Sequence, residues 1–173
     1  MKKFRVLITE REIKRRIKAL ATRINRDYKN EHLYIIGILN GCYMFLSDLA
    51  RELKMPCTVD FMRVSSYGNA TETSGVVRII MDVSESLTGK NVLIVEDIID
   101  TGLTMDYLLR TIKQKNPKSI RICTLLHKKV KTKVDVPIDY CGFEVPDKFV
   151  VGYGLDYNNM YRNLKYIGYI GHK

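Results

Sequence analysis

Two stretches, Leu33–Leu39 and Val92–Val95, carry apolar residues at consecutive positions, Ile120–Leu126 is apolar but for Arg121 and Thr124, and each ends at a turn. A strand with one face in water alternates polar with apolar residues, so strands of this kind must be covered on both faces. The cover is written between them. Ile13, Ile17, Leu20, Ala21, Ile24 and Tyr28 repeat at a helical period, as do Met105, Leu108, Leu109 and Ile112 within Met105–Lys115, and a further amphipathic segment runs from Tyr43 to Leu53. Apolar strands alternating with amphipathic helices predict an α/β fold with a central, mainly parallel sheet flanked by helices. A chain of 173 residues suits one domain, spanning 1–173, around a single sizeable core.

Other elements follow from local signals. Phe4–Ile8 reads as a strand, and Thr9-Glu-Arg-Glu12 as a capping box, in which the Thr hydroxyl and the Glu carboxylate satisfy free amides at a helix start. Thr58–Val64 and Val76–Met81 read as strands, and Ser65–Gly75 between them is the most turn-rich segment of the chain. Beyond Val134 come short strands and loops rich in Tyr and Gly. The longest apolar runs are too short to cross a bilayer, and Met1-Lys-Lys leads into no signal-peptide core, so a cytoplasmic protein without membrane partners is expected. Cys42, Cys57, Cys123 and Cys141 are scattered without metal-ligand spacing and are expected to pack as small buried hydrophobes. A net charge of +10 points to an anionic partner without choosing among polyphosphates and nucleic acids.

Ligands of parallel sheets bind outside the carboxyl ends of the strands, which singles out Asn40-Gly41 and Glu96–Thr104. The buried run Val92–Val95 ends in Glu96 and Asp97, with Asp100 three residues on. Three carboxylates so close repel one another, and they are tolerated where magnesium or a ribose diol sits among them. Asp100-Thr-Gly-Leu-Thr104 then opens a helix, and its amides, hydroxyls and glycine form an anion cradle supported by the helix dipole. A diol-binding acid pair beside a phosphate cradle describes a site for ribose 5-phosphate. The bland alternative is a solvated loop with Thr104 as a plain helix cap.

The stretch Val92-Leu-Ile-Val-Glu-Asp-Ile-Ile-Asp-Thr-Gly-Leu-Thr104 resembles, nearly letter for letter, the phosphoribosyl-pyrophosphate motif of the hypoxanthine (hypoxanthine-guanine) phosphoribosyltransferases. The resemblance extends through Leu39-Asn-Gly-Cys-Tyr43, Val59-Asp-Phe-Met-Arg-Val-Ser-Ser-Tyr67, Leu87-Thr-Gly-Lys-Asn91 and Gly142-Phe-Glu-Val-Pro-Asp-Lys-Phe-Val-Val-Gly-Tyr-Gly-Leu-Asp-Tyr157. It implies the type I phosphoribosyltransferase fold, with a small hood built from the C-terminal strands. It also implies transfer of 5-phosphoribosyl from phosphoribosyl pyrophosphate to a 6-oxopurine (hypoxanthine, and guanine as well) in purine salvage, with Mg2+ and in a homodimer or homotetramer.

Residue by residue, the resemblance implies that Glu96 and Asp97 hold the ribose hydroxyls and a magnesium ion, and that Asp100 accepts a proton from N7 of the base. Asp100, Thr101, Gly102, Leu103 and Thr104 would enclose the 5-phosphate. Lys128 would donate to the purine O6, Phe149 would stack on the ring, and Val150 would offer backbone groups to it. Asp156 would bind a second magnesium, and Arg162 would meet pyrophosphate. Asn40 and Gly41 match a loop that contacts pyrophosphate through its amides, often after a cis peptide; the family frequently has lysine where this chain has Asn40. Ser66 and Tyr67 fall in a segment, Ser65–Gly75, that matches a mobile lid.

Two other readings compete. Asp100-Thr-Gly102 is also an aspartic-protease signature, but that signature needs an all-β setting, whereas a helical pattern follows here. A nucleic-acid-binding regulator on the same fold would fit the charge, yet it would not need Asp100 and the base pocket together, and the basic residues form no single stripe. Nucleic acid is therefore not the expected partner.

Overall fold

The structure, a computed structural model, describes residues 4–67 and 76–170. The first strand, β1 (Phe4–Ile8), leads into α1 (Glu10–Asp27), whose start is closed by the expected capping box. Ile13, Ile17, Leu20, Ala21 and Ile24 of α1 are buried, as their spacing requires. There follow β2 (Leu33–Leu39), α2 (Tyr43–Glu52), β3 (Cys57–Tyr67), β4 (Val76–Met81), β5 (Asn91–Ile99), α3 (Leu103–Lys113), β6 (Ser119–His127), a 3-10 turn at Lys129–Lys131, β7 (Tyr140–Glu144), β8 (Val150–Val151) and β9 (Ile167–Ile170).

Six strands form one sheet in the order β4-β3-β2-β5-β6-β7, and only the β3–β4 pair is antiparallel. The apolar strands explain the layering. In β2, Leu33 and Ile35 join α1 and α2 in one core, while Tyr34, Ile36 and Ile38 join Met105, Leu108, Leu109 and Ile112 of α3 in the other. Successive side chains point to opposite faces, so a run that is apolar throughout feeds both cores at once. Truncating one such residue, Ile35→Ala for instance, would cost about 2–5 kcal/mol.

The elements differ in places from those read in the sequence. The strand expected to stop at Val95 runs on to Ile99, because β6 keeps pairing with it through Glu96↔Thr124, Ile98↔Leu126 and Ile99↔His127. Ser65–Tyr67, expected in a mobile lid, extend β3, where Ser65↔Arg78, Ser66↔Val77 and Tyr67↔Val76 pair with β4; residues 68–75 of that lid lie outside the described residues. The third helix begins at Leu103, two residues before the first position of its apolar repeat, since Gly102 turns the chain into it. The hood is a three-stranded antiparallel sheet, β1-β9-β8, so the N-terminal strand supplies part of what was expected from the C-terminus alone. Phe4 pairs with Ile170, 166 positions further along the chain, and so distant a pairing leaves no local trace. Of the cysteines, Cys42 and Cys123 are buried, but Cys57 is exposed where it opens β3, against the expectation for all four. No helix among the described residues is long and apolar enough to cross a membrane.

Candidate active site

The chain leaves β2 through α2 toward β3 on one side, and leaves β5 through α3 toward β6 on the other. The crevice at the carboxyl ends of these two adjacent strands is where such sheets take ligands. Asn40-Gly41 follows β2 and Asp100–Gly102 follows β5, so the two loops singled out in the sequence flank one crevice. The Leu39–Asn40 peptide is cis, and Asn40 is exposed to solvent. Neither Asn40 nor Gly41 adopts a left-handed conformation. Glycine is needed at 41 for a different reason: a Cβ there would overlap the Asp97 carboxylate, and the Gly41 carbonyl is itself pressed against Gly154.

Glu96 and Asp97 lie inside β5, both largely buried. Burial first, and then the charge of Asp97 beside it, push the Glu96 carboxyl well above its ordinary range. Burial also raises Asp97, opposed by its hydrogen bond with Glu96, by the Ile98 amide, which donates at 2.9 Å, and by the charge of Arg162. Arg162 relieves Asp97 in part, and a cation or a set of hydroxyls from outside the chain would relieve both groups further.

Past β5, a recess of about 100 Å³ is lined by Glu96, Asp100, Thr101, Gly102 and Thr104, with Ile98, Ile99 and Met105 as its apolar side. Leu103 starts α3 but is not among the lining residues. Gly102 has φ +83, a value that side chains resist, and a Cβ there would strike the Val134 carbonyl. Thr101 O accepts from Lys133 N at 2.9 Å and Val134 N at 3.1 Å, so Lys133 and Val134 brace the loop. No capping side chain closes the start of α3 or of α2, which leaves the first-turn amides of both helices facing this end of the sheet.

Lys128 is only 7% exposed, an unusual fate for a lysine, with Nζ 3.5 Å from Asp100 Oδ2 and 3.8 Å from Asp147 Oδ1. Lys131 Nζ meets the same Asp147 oxygen at 3.2 Å. The other Asp100 oxygen, Oδ1, is covered and has no hydrogen-bond partner among the described residues. Phe149 is 55% exposed, while its neighbour Val150 is buried; the Phe149 ring meets Tyr157 edge-on, with centroids 5.6 Å apart. An exposed aromatic face beside a buried strand is available to a flat ligand.

Arg162 joins the remaining pieces. Its guanidinium donates to Gly154 O at 2.6 Å and pairs with Asp156 Oδ1 at 2.7 Å, and Asp156 Oδ2 accepts from Asn159 N at 2.8 Å. The structure thus gathers Gly41, Asp97, Asp156 and Arg162 on one side, and Asp100 with Lys128 on the other. Ser66 and Tyr67 sit at the far end of β3. Asp147, Gly154 and the brace at Val134 were not singled out in the sequence. Asp147 and Gly154 stood within the quoted C-terminal motif, and only their contacts distinguish them. A helix directly after Asp100-Thr-Gly102 in a mainly parallel sheet does not fit the all-β setting of an aspartic protease.

Comparison with known proteins agrees with this fold. The phosphoribosyl transferase domain family matches residues 7–158. The hypoxanthine-guanine phosphoribosyltransferase of Dictyostelium discoideum is 47% identical over 167 residues, covering 94% of this chain and 93% of its own. The hypoxanthine phosphoribosyltransferase of Escherichia coli is 47% identical over 165 residues, with 94% and 93% covered. A crystal structure of a hypoxanthine-guanine phosphoribosyltransferase from Bacillus anthracis, with HEPES in its active site, superposes with a TM-score of 0.94 at 43% identity, covering 99% of this chain and all of that one.

Proposed function

Because the chain belongs to the phosphoribosyltransferase family, we propose that it transfers 5-phosphoribosyl from phosphoribosyl pyrophosphate to N9 of a 6-oxopurine, hypoxanthine and guanine, releasing pyrophosphate in purine salvage. The observation that carries the reading is the Asp100 carboxylate, which lines the recess with 41% of its side chain exposed and has Oδ2 3.5 Å from Nζ of the buried Lys128. The exposed edge of that carboxylate can take a proton from N7 of the base as N9 attacks C1 of the ribose, an assistance worth on the order of 10²–10⁴ in rate. Lys128 has donors only, so at this position it favours a purine with a carbonyl at C6 over one with an amino group. Phe149 stacks on the base, and Val150 presents backbone groups to it.

Thr101, Gly102, Leu103 and Thr104 wrap the 5-phosphate through the open first turn of α3. Asn40 and Gly41, at the start of α2, and Arg162 receive the pyrophosphate, the guanidinium by paired hydrogen bonds. The loss of a lysine at Asn40 leaves the backbone of that loop as the contact. The leaving group departs as the reaction centre gains oxocarbenium character, so closure by Ser66 and Tyr67 would protect C1 from water.

The carboxylates fit magnesium. Glu96 and Asp97 are hard oxygen donors whose charges nothing nearby balances in full. No group of three or more His, Cys, Asp or Glu among the described residues is arranged to hold a metal ion. Magnesium commonly uses one or two carboxylates and takes its other ligands from water and substrate phosphates, which suits Glu96 and Asp97 for one ion and Asp156 for a second. Bound there, it would neutralise charge on the departing pyrophosphate. The whole chain, 1–173, acts as one domain, in the cytoplasm and as a homodimer or homotetramer.

The deciding experiment incubates purified protein with phosphoribosyl pyrophosphate, magnesium and each purine base in turn. Inosine and guanosine monophosphates are the expected products, with adenine inert. Failure to form nucleotide from either hypoxanthine or guanine would overturn the reading.

A further inference from the structure

Gly152, Tyr153 and Gly154 are left-handed in succession, with φ of 96°, 50° and 100°. Glycine accepts this backbone freely, and a bulky aromatic residue does not. Tyr153 nevertheless sits between the two glycines, buried, and its hydroxyl donates to Asp48 Oδ2 on α2. Its ring lies in the core shared by α1 and α2. Burial, followed by the hydrogen bond to Asp48, pushes the hydroxyl far above its ordinary range, so it stays a donor.

The position of this contact matters more than its strength. Asp48 belongs to α2, which begins two residues after Gly41, and Gly154, the residue after Tyr153, is packed against the Gly41 carbonyl. Gly154 also accepts from Arg162, and Gly154 N donates to Arg162 O at 2.9 Å. The Tyr153–Asp48 hydrogen bond therefore closes a ring that runs from α2 through Gly41, Gly154 and Tyr153 back to α2. The base side is anchored separately, because Val150 and Val151 are held by pairing with Tyr169 and Gly168 of β9.

We infer that Tyr153 and Asp48 are positioning residues for the pyrophosphate side of the site: their contact holds the Gly154–Arg162 segment against the Gly41 loop. The inference rests on the phosphoribosyltransferase reading above. Asp48 also pairs with Arg51 and its side chain keeps 30% exposure, so removing the tyrosine hydroxyl strands no buried charge. A Tyr153→Phe variant keeps the ring in the core and removes only the clasp.

The test measures initial rates for the wild-type chain, Tyr153→Phe, Asp48→Ala, Asp48→Asn and the Tyr153→Phe/Asp48→Ala double variant, with thermal unfolding of each. Misplacement of binding groups should raise KM for phosphoribosyl pyrophosphate roughly tenfold in Tyr153→Phe and Asp48→Ala, with KM for hypoxanthine within about twofold of wild type. Asp48→Asn, which keeps an oxygen acceptor, should restore most of the loss, and the double variant should be no worse than either single one. A lowered unfolding temperature with both KM values unchanged would overturn the inference and leave a purely structural contact. Equal increases in both KM values would overturn it too. A wild-type chain that forms no nucleotide would instead sink the functional reading itself.

Discussion

Helices α1 and α3 both begin just after a strand, yet their first turns are finished in opposite ways. At α1, Glu12 N donates to Thr9 Oγ1 at 3.3 Å and Thr9 N donates to Glu12 Oε2 at 2.8 Å, so the chain satisfies its own amides. At α3, Gly102 is left-handed, no side chain caps the helix, and the turn faces a recess with Asp100, Thr101 and Thr104. The first arrangement serves stability and leaves nothing to bind. The second leaves amides whose natural partner is an anion from outside the chain. The difference separates a helix that helps the fold from a helix that the fold holds ready for substrate.

Substitutions can press on that contrast from both sides. Asp100→Asn, at the entrance to the open turn, should lower turnover by about 10²–10⁴-fold. Phosphoribosyl pyrophosphate with magnesium should still bind, as titration calorimetry would register, and undiminished turnover would remove Asp100 from the chemistry. Gly102→Ala forces a Cβ into the left-handed backbone and against the Val134 carbonyl. It should weaken phosphoribosyl pyrophosphate binding by roughly 10–100-fold and cost about 1–2 kcal/mol of stability. An unchanged KM would mean that the shape of the turn is not what binds.

Glu96→Gln tests whether the site carries a cost that the rest of the fold does not. Removing one of two buried, mutually repelling carboxylates should raise stability in urea by about 0.5–2 kcal/mol while weakening magnesium-dependent substrate binding. The sign with pH follows from the raised folded-state value of Glu96. The native state binds the proton more tightly than the unfolded chain, whose ordinary value is 4.5, so the wild type gains stability as pH falls from neutrality toward 4.5. That gain should shrink in Glu96→Gln; an identical pH profile for the two proteins would show that Glu96 bears no such cost. The smallest effect belongs to the closed turn. Thr9→Ala should cost about 1 kcal/mol in urea unfolding and leave both KM values and kcat as they were.

Much of the fold was legible because apolar residues on consecutive strand positions and at helical spacing demand particular neighbours. Leu33–Leu39 could only be covered on both faces, and the α1 capping box stood in four residues. Strand ends were less legible: whether Glu96 and Asp97 lie in β5 depends on β6 continuing to pair beside them, a decision made across the sheet. The hood's use of β1 was illegible for the same reason, since Phe4↔Ile170 and Arg5↔Tyr169 join the two ends of the chain. Within the candidate site, the residues of the Glu96–Thr104 stretch announced themselves by chemistry and resemblance. Asp147 did not, because a single aspartate in a motif looks like any other until Lys128 and Lys131 are brought to it.

Composition, periodicity and the acid-rich strand end determined the fold class and the chemistry on offer at the strand end: carboxylates and an anion cradle. Those depend on residue type and short spacing, which a sequence states directly. Tertiary structure decided which groups meet. It set Gly41 against Asp97 and Gly154, left one Asp100 oxygen without a partner, and linked Tyr153 to Asp48 across 105 residues. Such contacts follow from how packed elements exclude water and one another over long separations, and local spacing carries no record of that.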